Sequence, residues 1–221
     1  MNISINGLNG GPGAGVLTLL GITLLSVAPA LLLMMTSFTK VFVVLSMTRN
    51  ALGLNNIPPN QVIAGLSVFL TFFIMWPVLT DINTAAVQPY LNGHIDFTQA
   101  VALAETPLKH WMLPLTRQDD IALITRVANR ANPASPDATP MSALIPAFML
   151  SELRSAFIIG FVIFIPFLII DIVVGAGLQS LGMMMLPPVM ISLPFKVLLF
   201  VLVDGWGLII TSLIKSYSGL H

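Results

Sequence analysis

Five charged residues lie in stretches that are otherwise apolar: Glu152, Arg154, Asp171, Lys196 and Asp204. A charge in such surroundings pairs with an opposite charge, relays protons or ions, or snorkels towards water. Lys196 and Asp204 are eight residues apart in LPFKVLLFVLVDGW (193–206). On a straight helix that is about 12 Å of rise and an offset of about 80°, so they do not pair with each other. Each needs a partner in Asp171, Glu152, Arg154 or an adjacent subunit. Assembly contacts are the favoured reading, with Lys196 pairing across a subunit boundary. A proton relay through Asp171 and Asp204 is the rival, and snorkelling the third reading.

Other chemistry is poorly represented. The chain has no cysteine and only three histidines, with no His/Cys/carboxylate cluster, which argues against a metal site or disulfide framework. A phosphate-cradling GxxxxGK[ST] loop is absent, as is a nucleophile–base pair, so neither an enzyme nor a cofactor is expected. Zero net charge implies no bulk attraction to nucleic acid. The composition, 56% hydrophobic and 8% charged, is far from the roughly 25% charged residues of soluble domains and marks an integral membrane protein.

The stretch around these charges opens with Met183, Met184 and Met185, followed by Pro187 and Pro188. Methionine is flexible and fills irregular gaps, so packing at a turn is one reading. The other is a ring of soft side chains, repeated around an axis, that seals against ions and yields to a wider substrate. Between Val189 and Ile210, fourteen Leu, Ile, Val and Phe residues favour insertion by roughly 4–8 kcal/mol, against roughly 5–7 kcal/mol for Lys196 plus Asp204. A helix this close to break-even is expected to rely on neighbours.

The positioning elements read as all-α, two long apolar helical hairpins flanking a small helical insert. Residues 1–15 are a Gly- and Asn-rich tail, 16–80 the first hairpin, 81–143 the extracytoplasmic insert, 144–214 the second hairpin with its Met-rich loop, and 215–221 a polar tail. An uncharged run from Val16 to Met35 is expected to continue helically to Thr48, and Val62–Leu79 is long enough to span. No Arg or Lys precedes Lys40, so no secretory signal is read, although Ala28-Pro29-Ala30 has the form of a cleavage site.

Six of the nine acidic residues fall between Asp81 and Pro140. One amphipathic helix is expected from an Asp96/Gln99 capping box to about Leu113, kinked or split at Pro107. A second is expected from Thr116 to about Arg130.

A short repeat links the hairpins. Leu52-Gly53-x-x-x-Ile57-Pro58-Pro59 matches Leu181-Gly182-x-x-x-Leu186-Pro187-Pro188, and Gly then Pro suits a helix stop followed by a restart. The two turns are expected to share one orientation. Counting Lys40, Arg49 and Lys196 as turn charges places both turns in the cytoplasm and the insert outside.

These residues carry a resemblance. LLLMMTSFTK (31–40), RNALG (49–53), PPNQV (58–62), FLTFFIMWPV (69–78), SELRSAF (151–157), FIPFLIIDIVVG (164–175), LGMMMLPP (181–188) and LPFKVLLFVLVDGW (193–206) resemble the family of the P subunit of the flagellar type III export gate, the FliP family, with its injectisome relatives. The resemblance implies a bacterial inner-membrane protein at the flagellar basal body. It implies a helical cone of about five copies with the Q and R subunits and other export-apparatus and basal-body proteins, partly raised into the periplasm. Unfolded exported proteins would pass through its centre. Met183, Met184 and Met185 carry over as the pore gasket, and the five charges match charged family positions. The resemblance also implies a cleavable signal ahead of the tail, so the chain is expected to be a mature form. The alternative classes are a secondary transporter or ion channel using Asp171 and Asp204, and a structural scaffold.

Overall fold

The computed structural model describes residues 22, 23, 26, 30, 33–54, 56–183 and 186–217. Among the described residues the regular structure is helical. The expected continuous helix through Thr48 is interrupted by a turn at residues 35–37, where the Thr36 hydroxyl donates to Leu33 O at 2.9 Å. α1 then runs Phe38–Ala51.

α2 starts at Asn60 after Pro59 and does not stop near residue 80. It passes through a π turn at Asn83–Val87 and ends at Leu91, making one apolar helix of 32 residues. The insert contributes α3 (Phe97–Met112), whose Asp96/Gln99 capping box forms in both directions. Its Pro107 neither ends nor splits it. α4 spans Gln118–Val127 with Arg117 as its cap, shorter than expected at both ends. Thr116 does not cap it because its hydroxyl turns back to Met112 O at 2.7 Å. α5, Met141–Ser180, is a single 40-residue helix through Pro146 and Pro166. The second hairpin returns as α6 (Pro188–Leu202) and α7 (Gly205–Lys215), bent by 60° at Val203–Asp204. The expected straight helix across Asp204 is therefore broken.

α5 organises the molecule. Its buried residues Leu144, Phe148, Glu152, Ala156 and Gly160 recur every fourth position, a single stripe down one helix face. α1 lies along this stripe with Val41, Val44, Leu45 and Thr48. At the crossing, a Cβ on Gly160 would stand closer than 3.0 Å to Met47 Sδ, so any side chain there has to displace the end of Met47. Lys40 meets Glu152 and Met47 meets Gly160, so α1 and α5 run parallel.

The two turns share their chemistry. Leu52 N–H and Gly53 N–H donate to Thr48 O and Asn50 O; Leu181 N–H and Gly182 N–H donate to Gly177 O and Gln179 O. The residues correspond one for one across the repeat. Gly53 and Gly182 have φ of +77° and +74°, the left-handed stop that glycine adopts at little cost.

Outside these contacts the surface is strongly apolar. Phe69, Phe72, Phe73 and Trp76 of α2 and Phe157, Phe161 and Val162 of α5 are exposed. Soluble monomers rarely present such a surface, which belongs against lipid or other protein. α2 and α5 are each long and apolar enough to cross a membrane, and α6 with α7 qualify as a third, bent span.

Candidate functional site

Four of the five charges have partners within the chain. Lys196 Nζ reaches Asp171 Oδ2 at 2.6 Å, joining α6 to α5. Ser192, one turn before Lys196, donates to the other Asp171 oxygen. Lys196 also donates to Ala51 O at 3.4 Å, in the last turn of α1. That carbonyl belongs to the four a helix leaves unpaired at its end, where a cation is favoured. Lys196 therefore ties both hairpins together beside both turns. Lys196 thus has a partner within its own chain, because α6 packs back against α5 and brings it to Asp171.

About 28 Å further up α5 lies a second cluster, 19 residues before Asp171. Lys40 Nζ donates to Glu152 Oε1 at 3.2 Å, and the Tyr217 hydroxyl donates to Glu152 Oε2. The ammonium also sits 3.9 Å from the centroid of the Tyr217 ring, which stacks on Trp111. Lys40, Trp111, Glu152 and Tyr217 are all 3% exposed or less. One cluster thus joins α1, the insert, α5 and the C-terminal end. Burial, reinforced by the Glu152 carboxylate, raises the Tyr217 phenol well above its ordinary range, so it remains a donor at neutral pH.

Arg154 pairs with Asp120 of α4 at 3.2 Å, and Ser151 Oγ donates to the same carboxylate at 2.6 Å. Ser151 in turn accepts from the backbone N–H of Arg117 at 3.0 Å. The insert is bolted to α5 through Asp120, which is 2% exposed.

Asp204 differs from the other four. It is exposed, carries φ of +50°, and has no ion pair among the described residues. Asp171 and Asp204 are not brought together as a relay: Asp171 is engaged by Lys196 and Ser192, while Asp204 marks the bend.

At the turn end, Arg49 donates to Pro58 O at 3.0 Å and Asn60 Oδ1 at 2.7 Å, holding the first turn closed against Pro59. The second turn presents Met183, which is 45% exposed beside Leu178, Gln179 and Leu186. Met184 and Met185 lie outside the described residues. Of the three cations counted as turn charges, Lys196 and Arg49 lie beside the turns, Lys196 in a buried ion pair, while Lys40 is buried against Glu152 at the far end of α1.

Sequence reading passed over Lys40, Trp111, Asp120 and Tyr217. Lys40 gave the same signal as Lys196, a lone cation in an apolar run, but was counted as a loop charge. Asp120 is indistinguishable by type from Asp119, whose side chain is 85% exposed. Tyr217 stands in a short polar tail with no periodicity to place it.

Known proteins match this arrangement along nearly its whole length. The FliP family model matches residues 21–213. The flagellar biosynthetic protein FliP of Bacillus subtilis is 53% identical over 199 residues, covering 90% of each chain. The protein of that name from Pectobacterium carotovorum is 52% identical and covers 95% of this chain and 82% of its own. That of Aquifex aeolicus is 46% identical, covering 90% of this chain and 84% of its own. With identities of this size spanning both hairpins, the insert and both turns, the chain belongs to the FliP family.

Proposed function

We propose that the chain is a pore-forming subunit of the flagellar type III export gate in the bacterial inner membrane. Several copies, about five, join with the Q and R subunits and other export-apparatus proteins. Unfolded exported proteins pass through the centre. The observation that carries this reading is the placement of Met183. It stays exposed on a turn whose flanking helices are pinned by Lys196, Asp171 and Ser192. A rigid frame with a soft tip suits a constriction that dilates and recloses. The apolar exterior of α2, α5 and α6 supplies surface for neighbouring subunits or lipid.

In this mechanism the gate is passive. The methionines of several copies meet on an axis, close the pore to ions by contact, and part when a chain enters. The buried pairs keep each hairpin rigid, so opening is confined to the turns. A proton relay is less well supported, since Asp171 is committed to Lys196.

Replacing Met183, Met184 and Met185 together with Ala is expected to make cells leak small ions while export continues. Ion leakage unchanged from wild type, with normal protein levels, would assign the methionines to packing and remove the gasket.

A further inference from the structure

Three observations converge on the bend between α6 and α7. First, the two helices together are long and apolar enough to span a membrane, and only Val203 and Asp204 separate them. Second, the bend is made by one non-glycine residue in the left-handed region, Asp204. Third, the bent form leaves little space beside the residues after it. A Cβ on Gly205 would meet the Phe200 ring at less than 3.0 Å, and one on Gly207 would meet the Asp204 carboxylate. Phe200 is itself held against Phe167 and edge-on to Trp206.

The bend decides where Tyr217 goes. From Gly205 to Tyr217 is about 18 Å of helix, so a swing of 60° moves its end by about the same distance. Only the bent form therefore delivers Tyr217 to the Lys40–Glu152 pair and Trp111. Without it, Glu152 Oε2 loses its donor and Lys40 loses the aromatic face beneath it.

We propose that α6 and α7 form a two-state element. In one state they are bent and latched by Tyr217; in the other they run on as one straight apolar helix with the C-terminal end released. Docking of Tyr217 completes a buried polar cluster shared by α1, α5 and the insert. The latch closes only after those elements have packed. A chain whose hairpins and insert are not yet together holds the straight form, and correct packing converts it to the bent one. The left-handed residue is the hinge, and Gly205 and Gly207 are the clearance it requires.

The lack of native cysteine makes the test direct. Spin labels on His110→Cys and Ser216→Cys, both exposed positions next to Trp111 and Tyr217, report the latch distance in the full chain in lipid nanodiscs. The unmodified background gives one short distance. Gly205→Ala, which clashes in the bent form and favours continuous helix, adds a population up to about 18 Å longer. Tyr217→Ala adds the same population. Asp204→Leu adds it too, because a bulky residue is disfavoured in the left-handed region. Asp204→Gly, which enters that region freely, retains the short distance. Identical distances in Gly205→Ala and Asp204→Leu would overturn the two-state element. So would a general loss of helicity in both without a new discrete distance. The readout is independent of any pore, so its failure leaves the gate reading standing.

Discussion

Lys196→Met separates a pair within the chain from one between subunits. Lys196 is 2% exposed and the Asp171 side chain 21%, so neither charge is well solvated. Removing the cation leaves Asp171 with only the Ser192 hydroxyl and strips Ala51 O of its donor. Breaking a buried pair from one side costs 3–5 kcal/mol; the partial exposure of Asp171 puts this case at about 3 kcal/mol. Replacing both residues, Lys196→Met with Asp171→Leu, removes the stranded charge and is expected to recover most of that loss. The assay is the denaturation midpoint of the monomeric chain in detergent, as a double-mutant cycle. The single variant should shift it strongly, and the double variant should return towards wild type. If Lys196→Met left the monomer unchanged but prevented assembly, the intrachain pair would carry no stability and the cross-subunit partner would be restored.

Tyr217→Phe keeps the stack on Trp111 but removes a hydrogen bond to a carboxylate, and should cost about 1.5–3 kcal/mol in the same assay. Because the folded state raises the phenol's pKa, its contribution is complete below about pH 10 and is lost as pH climbs above that; Tyr217→Phe should remove this slope. Asp120→Ala deprives Ser151 and Arg154 of their acceptor, and should cost about 1–2 kcal/mol, discounted because the Arg154 side chain is half exposed. Proteolysis should then cut the insert faster than the hairpins; unchanged cleavage would mean the insert is held elsewhere. Gly160→Ala should destabilise by about 1–3 kcal/mol through its clash with Met47, and Met47→Ala in the same chain should relieve it; failure of that rescue would place the tight contact elsewhere.

Much of the architecture could be read from residue types alone. Uncharged runs long enough to span, Gly stops, Pro restarts and the Asp96/Gln99 box are local signals, and a helix responds to them within a few residues. The LG-x-x-x-[IL]-PP repeat was legible for the same reason: Gly53 and Gly182 adopt one left-handed stop and donate equivalent bonds. Residue types also marked Glu152, Arg154, Asp171 and Lys196 as needing partners, because no side chain of that kind is buried cheaply without one. What pairs with what was decided by tertiary structure. The parallel packing of α1 on α5, permitted by Gly160, brings Lys40 to Glu152 across 112 residues and Lys196 to Ala51 across 145. No local pattern distinguishes Asp120 from Asp119, or marks Tyr217 as the closing piece of a core. The break at Asp204 was equally illegible, since a hydrophobic run looks the same straight or bent. The chain alone specifies where helices form and which charges need satisfying; only their packing in space supplies the partners.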